Sequence, residues 1–490
     1  MSIAERTVHS TAYNATASII QTVIQFLRTI ILARLLEPNV FGIYAFASSW
    51  IIATRSFGEF GMTGALLHRA EQSEGEIAIR VHFTLSLLFS LGWALALAGL
   101  TPWLVPQTMS DETLWVFWVL IVAEAVTQNA STARAVLTRR VVFRRISLVN
   151  TVTTLVATVV TLVLAWLGFG VWCLVASDIV RAILTNAGYY LYRPVWRPRL
   201  AWSTPVVRYF IGFGRKTFMA SLLRQALDRV DDLWTGNFLG ETPLGFYSRA
   251  YRFATYPRSI LAEPLSAVTG GTYAELKSQP RRLSAAFFRI NSFLVRTGFL
   301  LAGLLALAAP EFIRIVIGAK WLPMLTAFRL MLIFTLLDPI KATIANLFTA
   351  VGHPEKTVWT RTVQLVALVL GLFLLGPRWG IAGVALAVDV MLIVGIGLLL
   401  WQAREYVRFS VRRMFLVPTL ALALGMAGGR AAIMIPGILG SPWRTGAMKV
   451  VVFSVVYAVV LLLLERDQIP MLLRILGQLR SRIQISEAAK

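Results

Sequence analysis

The chain has 490 residues, of which 57% are hydrophobic and only 14% are charged. Its apolar residues come in runs too long and too unbroken for the helices of a water-soluble protein, so we expect a polytopic membrane protein. The formal net charge of +23 would suggest a nucleic-acid partner in a soluble protein. Here the basic residues lie between the apolar runs, which argues against nucleic-acid binding.

About fourteen segments are long and apolar enough to cross the hydrocarbon layer, which takes roughly 20 helical residues. They lie near 12–36, 40–58, 80–101, 114–137, 147–167, 170–191, 214–239, 247–274, 286–309, 325–350, 357–376, 380–401, 414–436 and 446–464. The predicted fold class is therefore an all-α polytopic membrane protein. We predict an N-terminal six-helix lobe over 1–200, a C-terminal six-helix lobe over 201–405, an accessory helix pair over 406–465 and a basic tail over 466–490.

Every second connection between the predicted spans is strongly basic. The connection after the fourth span carries Arg139, Arg140, Arg144 and Arg145, and those after the sixth, eighth and twelfth spans are similarly rich in arginine and lysine. The intervening connections hold few basic residues. By the positive-inside rule, the even-numbered connections and both termini are predicted to be cytoplasmic.

Residues 33–47 align without gaps against residues 236–250, at a constant offset of 203. The identities are Leu36 with Leu239, Gly42 with Gly245, Tyr44 with Tyr247, and Ala47 with Ala250. Each segment follows a helix with polar positions and closes a short outward turn. This pattern predicts two six-helix halves of the same orientation, with a substrate site at their interface.

The first span carries a polar stripe on an otherwise apolar helix. Asn14, Gln21, Gln25 and Arg28 fall within about 60° of one another at 100° per residue. A charged side chain in a membrane helix is costly and usually faces a polar cavity. We therefore expect Gln21, Gln25 and Arg28 to contact a polar substrate; hydrogen bonding between helices is the alternative.

In the seventh span Arg224, Asp228 and Asp231 share one face in the same way. Arg224 with Asp228 and Arg229 with Asp232 are also spaced to form ion pairs, so a neutralised structural network is the alternative to a binding site. The remaining predicted substrate-binding residues are Arg249 and Arg252 in the eighth span and Arg289 and Arg296 in the ninth.

Acidic residues inside the spans are few. Asp178 and Asp338 each have a basic residue three positions later, Arg181 and Lys341, and are expected to form local ion pairs. Asp389 has no basic neighbour, so it is either protonated or an ion or proton site. Asp389 and Asp231 are therefore the candidates for a coupling-ion or proton site.

The sequence contains no complete motif of a known enzyme class. Residues 228–232 have a DxxDD form, but Arg229 interrupts the acids and there is no second acidic cluster. The four histidines are scattered, and Cys173 is the only cysteine, so no zinc site, catalytic triad or disulfide is expected. We predict no catalytic residue, no metal and no cofactor.

Together these segments resemble the polysaccharide transporters, or Wzx-type oligosaccharide flippases, of the multidrug/oligosaccharidyl-lipid/polysaccharide exporter superfamily. The resemblance spans the first twelve helices. It rests on the segments 33–38 and 41–44, 60–62 with 66–69, 230–232 with 236–240, and 244–250.

The resemblance implies an inner-membrane protein that moves an undecaprenyl-pyrophosphate-linked repeat unit from the cytoplasmic to the periplasmic leaflet. Such a protein would serve lipopolysaccharide, capsule or exopolysaccharide assembly, with a polysaccharide polymerase and a chain-length protein as partners. Arginine forks suit pyrophosphate oxygens because they form short, charge-assisted hydrogen bonds.

Two alternatives stand beside this interpretation. A cation-coupled multidrug antiporter would share the fold, but a cavity with many arginines should repel cations. A membrane glycosyltransferase or polymerase would need a long extracytoplasmic loop or an intact metal-binding acidic motif, and the sequence has neither.

Overall fold

The structure is a computed structural model that describes residues 21–68, 75–140, 142–192, 194, 196–434 and 441–465. At 68, 75, 216, 257–268, 334–336 and 433 it describes the backbone alone. The start of the predicted first span, with Asn14, and the predicted basic tail over 466–490 lie outside the described residues.

The described residues form α-helices and contain no β-strand. The described part of helix α1 runs over 21–35. The later helices are α2 (Pro38–Glu59), α3 (Met62–His68), α4 (Gly75–Leu104), α5 (Asp111–Asn129), α6 (Ser131–Arg139), α7 (Phe143–Trp166), α8 (Trp172–Tyr190), α9 (Thr204–Leu239), α10 (Glu241–Leu276), α11 (Pro280–Phe312), α12 (Leu325–Val351), α13 (Glu355–Ala403), α14 (Val411–Ala431) and α15 (Pro442–Leu464). The prediction of an all-α polytopic membrane protein is confirmed.

Eight helical segments of the described chain are long and apolar enough to cross a membrane by length and composition alone. The other long helices include α9 and α10, which carry the predicted site residues Arg224, Asp231, Arg249 and Arg252. Exposed leucine, valine and tryptophan side chains cover the outer faces of α4, α7 and α15. Such apolar exterior surfaces are expected where a helix faces lipid.

Helix α13 contains two spans and not one. Its 49 residues would be roughly 74 Å long if straight, against a hydrocarbon core of ~30 Å. Gly380 interrupts it with φ 54° and ψ −136°. A Cβ on Gly371 would lie 2.9 Å from the Cβ of Ala387, and one on Gly383 would lie 2.1 Å from the carbonyl oxygen of Leu375. These contacts show that the two halves fold back on each other, as the predicted spans at 357–376 and 380–401 require.

The chain divides into two compact units. The first consists of Met1–Arg252 and Arg361–Met391, and the second of Phe253–Thr360 and Leu392–Lys490. The first unit therefore holds α1 to α9, the start of α10 and the hairpin around Gly380. The predicted lobe boundaries at residues 200 and 405 stay a prediction.

Within the first unit, the two repeat segments pack against each other through glycine. A Cβ on Gly42 of α2 would lie 1.8 Å from the carbonyl oxygen of Glu241, and a Cβ on Gly245 of α10 would lie 1.8 Å from that of Pro38. Pro38 and Glu241 are separated by the same 203 positions as Gly42 and Gly245. The contact is thus reciprocal, as expected for two copies of one motif that meet across a local two-fold axis.

Glu241 also joins the start of α10 to the start of α5. Its Oε1 accepts hydrogen bonds from the backbone N–H of Ser110, the Ser110 hydroxyl and the Thr113 hydroxyl, each at 2.8 Å. Ser110 precedes the first turn of α5, where backbone N–H groups lack helical partners. The Glu241 carboxylate therefore accepts from the backbone N–H at the start of α5, where the Ser110 side chain makes no capping hydrogen bond.

In the second unit the C-terminal pair α14 and α15 packs on α11. Small residues allow the close approach: a Cβ on Gly303 of α11 or Gly425 of α14 would lie within 3 Å of the Phe453 ring of α15. Lys449 of α15 donates to Glu311 of α11 at 2.6 Å, inside the packed region. Glycine contacts of this kind are typical of packed membrane helices.

Candidate functional site

A polar cavity of about 570 Å³ lies inside the first unit. Helices α1, α2, α3, α5, α6, α7 and α8 contribute its walls. Its charged lining residues are Arg55, Glu59, Glu124, Arg134 and Arg181. A cavity with five ionisable side chains inside an apolar helix bundle marks a candidate functional site, because each charge is costly there unless a partner or water solvates it.

Arg55 lies at the centre of this charge arrangement. Its Nε is 3.3 Å from Glu59 Oε1, and its Nη1 is 3.8 Å from Glu124 Oε1. The guanidinium thus has two competing carboxylates, one from its own helix and one from α5. An anion that entered the cavity could replace either of them.

Arg181 and Arg134 add positive charge at other walls. Arg181 Nη1 lies 3.6 Å from Asp178 Oδ1, which confirms the predicted local pair. Arg134 on α6 is exposed, and among the described residues its guanidinium makes no ion pair. The three arginines outnumber the two glutamates that line the cavity.

The rest of the lining is dominated by hydroxyl and amide groups. They belong to Gln21, Gln25, Thr63, Thr127, Gln128, Ser131, Thr138, Asn150, Thr153, Thr154, Thr185 and Tyr189. Hydroxyls and amides both donate and accept hydrogen bonds. Such a surface suits a ligand with many hydroxyl groups as well as water.

Two of the predicted site residues, Gln21 and Gln25, line this cavity from α1. Gln21 Nε2 donates to the Thr151 hydroxyl of α7 at 2.9 Å. Gln25 Oε1 accepts from Arg252 Nη2 of α10 at 3.1 Å. The structure therefore brings Gln21, Gln25 and Arg252 together, and it shows the helix-to-helix hydrogen bonds that were the alternative interpretation of the stripe.

Arg28 is half-buried one turn further along α1. Its Nη2 donates to the Ser177 hydroxyl of α8 at 2.9 Å. The neighbouring Asp178 accepts a hydrogen bond from the Tyr44 hydroxyl at 2.6 Å. Arg28 thus has a neutral partner and an acidic residue nearby, and it is held between α1, α2 and α8.

The acidic pair on α9 has a similar arrangement. The hydroxyl of Tyr247, the repeat equivalent of Tyr44, donates to Asp231 Oδ2 at 2.5 Å. Asp232 Oδ2 accepts from the Ser49 hydroxyl and from Arg229 Nη1, both at 3.0 Å. The predicted pair of Arg229 with Asp232 is confirmed, while the second oxygen of Asp231 is buried without a hydrogen-bond partner among the described residues.

The other predicted arginines of this unit differ in their surroundings. Arg249 stacks its guanidinium over the Phe41 ring, with Cζ 4.4 Å from the ring centroid. Arg224 is exposed, and the ion pair with Asp228 suggested by their spacing does not form among the described residues. Arg224 is therefore available to contacts other than an internal salt bridge.

Arg289 and Arg296 belong to the second unit. Arg289 is exposed on α11. Arg296 is 4% exposed and forms a bidentate ion pair with Glu465, with Nε to Oε2 at 2.6 Å and Nη2 to Oε1 at 2.5 Å. Its Nη1 donates to the carbonyl oxygen of Ser292. All three guanidinium nitrogens of Arg296 thus donate hydrogen bonds within the protein. The sequence had suggested that Arg296 binds substrate instead.

Asp389 is 1% exposed in the second half of α13. Neither of its carboxylate oxygens has a hydrogen-bond partner among the described residues. A carboxylate in such a position is costly unless it is protonated or holds a cation. The geometry agrees with the sequence, which gave Asp389 no basic neighbour.

Sequence reasoning missed Arg55, Arg134 and Arg181 as cavity residues. Arg55 lies four residues before Glu59 and Arg181 three residues after Asp178, so both had the spacing of ordinary local ion pairs. Arg134 lies in a helix that the sequence had merged with the fourth span; a break at Ala130 separates α5 from α6. The uneven count of arginines and acids over the N-terminal spans was the signal that could have found them.

Comparison with known proteins gives the chain's relationships. Residues 31–326 match the family described as polysaccharide biosynthesis protein. The succinoglycan biosynthesis transport protein ExoT of Rhizobium meliloti is 25% identical over 61% of this chain, and the match spans 60% of that relative's length. The lipopolysaccharide biosynthesis protein WzxC of Escherichia coli is 23% identical over 79% of this chain and 78% of its own.

Solved structures establish the fold independently. The lipid II flippase MurJ, in an inward closed conformation, superposes with a TM-score of 0.76 at 14% identity, covering 93% of this chain and 99% of MurJ. An inward-facing multidrug transporter of the MATE family, from the MOP superfamily, superposes with a TM-score of 0.62 over 80% of this chain and 98% of its own. Since the family match covers more than half of the residues, the chain is a polytopic membrane protein that belongs to the polysaccharide biosynthesis protein family.

Proposed function

We propose that this protein is a flippase that moves a polyprenyl-pyrophosphate-linked oligosaccharide across the bacterial inner membrane for lipopolysaccharide, capsule or exopolysaccharide assembly. The observation that carries the proposal is the polar cavity, which presents arginines and many hydroxyls inside an apolar bundle. Two relatives support it, ExoT, named a succinoglycan biosynthesis transport protein, and WzxC, named a lipopolysaccharide biosynthesis protein.

The chemistry of such a substrate matches the lining in two respects. Arginine guanidinium groups bind pyrophosphate oxygens through short, charge-assisted hydrogen bonds. Threonine hydroxyls and glutamine and asparagine amides can exchange hydrogen bonds with sugar hydroxyls. The isoprenoid chain can stay in the hydrocarbon layer while the headgroup crosses, so the protein does not have to enclose it.

Most of the proposed substrate-binding residues belong to the first unit. Four of them line the cavity: Gln21, Gln25, Arg55 and Arg134. The others are the predicted residues Arg28, Arg224, Arg249 and Arg252, which lie outside the cavity lining. Arg289 remains a candidate in the second unit. We leave Arg296 out because Glu465 already occupies its guanidinium.

We propose that transport occurs by alternating access between the two six-helix halves. Parallel repeats of this kind rock against each other about a central site in other transporters. Asp389 and Asp231 are buried carboxylates with unsatisfied oxygens, and they are the proposed positions for a coupling ion or proton. No covalent chemistry is required of the protein.

The test is to delete the gene and follow both substrate and product. The expected result is that lipid-linked oligosaccharide accumulates on the cytoplasmic leaflet and the surface polymer is lost, while resistance to cationic dyes is unchanged. Polymer at normal levels together with altered dye efflux would overturn the proposal in favour of a multidrug antiporter. Loss of the lipid-linked oligosaccharide itself would instead point to an enzyme that synthesises it.

A further inference from the structure

We propose that the apolar groove between α2 and α4 binds the isoprenoid chain of a polyprenyl carrier lipid. The inference rests on the proposed flippase function, which it extends from the headgroup to the tail. The groove has a volume of about 580 Å³ and lies in the first unit. Its walls include Phe57 of α2, Phe60 directly after α2, and Leu88, Phe89 and Trp93 of α4.

The groove is lined almost entirely by apolar side chains, which suit a hydrocarbon ligand. The two lining side chains with polar atoms bond to each other, since Trp93 Nε1 donates to the Thr54 hydroxyl at 3.0 Å. Along α4 it runs from Leu88 to Leu100, a rise of roughly 18 Å, which is more than half of the ~30 Å hydrocarbon core. A long chain could therefore lie along it without leaving the membrane.

The groove wall is held in a fixed shape. The Phe60 ring stacks between Phe89 and Phe218, each with its centroid 5.1 Å away. The backbone of Phe60 has φ 42° and ψ 28°, the left-handed region that glycine normally occupies, and Phe60 is the one non-glycine residue with positive φ in the described part of the chain. Such a conformation is strained, and it persists only where the surroundings require it.

Helix α2 separates the groove from the polar cavity. Thr54 and Phe57 line the groove, while Arg55 and Glu59 line the cavity. The two surfaces thus lie on different faces of one helix, one suited to a charged and hydroxylated headgroup and the other to its tail. A ligand that used both surfaces would be an amphiphile with a large polar headgroup. A polyprenyl-linked oligosaccharide, the proposed substrate, is such a lipid.

The structure offers a matched pair of substitutions. Gly92 lines the groove, and a Cβ at this position would meet no atom within 4 Å. Gly99 lies seven residues later on nearly the same face of α4, is equally open, and lies outside the groove lining. Gly92→Leu should fill the groove without disturbing the fold, and Gly99→Leu adds the same side chain beside it.

The experiment uses the purified full-length protein in lipid nanodiscs and a polyprenyl phosphate that carries a photoreactive diazirine at the end of its tail. Illumination should label residues of α2 and α4 that line the groove, as mapped by mass spectrometry of the peptides. Gly92→Leu should reduce this labelling roughly fivefold or more, because the added side chain removes the buried apolar area on which tail binding depends, and Gly99→Leu should not.

Competition separates a carrier-lipid site from an ordinary lipid-facing surface. Unlabelled undecaprenyl phosphate should compete at a much lower concentration than phosphatidylglycerol. Equal competition by the two lipids, labelling outside the groove, or equal labelling of the two leucine variants would each overturn the proposal. The labelling experiment does not require transport. If the groove bound the carrier tail but the protein moved no oligosaccharide, the proposed function would be refuted and the proposed binding site would still hold.

Discussion

Gly42 and Gly245 occupy the same position in two repeats, and each lies against the backbone of the helix that carries the other. Since a Cβ on either would lie 1.8 Å from a carbonyl oxygen, neither position can accept a side chain without separating α2 from α10. Gly42→Ala and Gly245→Ala should each destabilise the protein by roughly 1–3 kcal/mol or more.

The measurement for this prediction is the apparent melting temperature of the purified protein in detergent. Gly212→Ala is the control, because a Cβ at Gly212 on α9 meets no atom within 4 Å. Similar melting of Gly42→Ala and Gly212→Ala would contradict the close packing of the two repeats.

Glu241→Ala should weaken the junction between α10 and α5, because three donors lose the carboxylate oxygen that accepts from them. Hydrogen bonds to charged groups contribute about 1.5–3 kcal/mol each, so the loss is expected to be a few kcal/mol after water replaces the carboxylate. Thermal unfolding of Glu241→Ala should begin at lower temperature, while Thr242→Ala, at an exposed neighbouring position, should match the wild type. Unchanged unfolding of Glu241→Ala would show that the junction adds no stability.

Arg296 and Glu465 should behave as a structural pair. Removing one partner leaves the other charge buried, which typically costs about 3–5 kcal/mol. Arg296→Ala should therefore reduce the amount of folded protein in the membrane, and the double variant Arg296→Met with Glu465→Leu should recover much of it. Arg289→Ala on the same helix is exposed and serves as the control. Normal accumulation of Arg296→Ala with loss of polymer export would return Arg296 to the substrate site.

Arg28 and Arg224 should act on transport and not on folding. If they hold pyrophosphate oxygens, Arg28→Ala and Arg224→Ala should abolish polymer export while the protein still accumulates in the membrane. Lysine at either position should retain part of the activity, because the charge persists while the bidentate fork is lost. Failure of the alanine variants to accumulate would assign the residues a structural role, as would rescue of Arg224→Ala by Asp228→Ala.

The positive-inside pattern predicts which connections face the cytoplasm. Reporter fusions at Val142, Val195 and Ser410 should give a cytoplasmic signal, and fusions at Val105 and Gly440 a periplasmic one. The fusion at Val105 is decisive, since the segment around it carries no positive charge. A cytoplasmic signal there would reverse the orientation of the N-terminal spans.

The sequence predicted the features that depend on local spacing or on hydropathy. Apolar runs fixed the helices, and three-residue spacing correctly predicted the ion pairs of Arg229 with Asp232 and of Lys341 with Asp338. The repeat was visible because four identities survive at one offset. Its reciprocal glycine contact agrees with that alignment.

Contacts between distant parts of the chain could not be derived in this way. Arg296 and Glu465 are separated by 169 positions, and nothing in either neighbourhood identifies the other as its partner. The same holds for Arg55 with Glu124, where a local glutamate concealed the second carboxylate. Residue spacing reveals which charges share a helix face, but only packing decides which faces meet.

The turn at Gly380 has a consequence for how the protein enters the membrane. The two halves of α13 touch from Gly371 to Ala387, and the turn between them has no spare residues. We therefore expect the two halves to enter the bilayer together as a hairpin during synthesis. Under the predicted topology, Arg378 would cross the membrane near its tip.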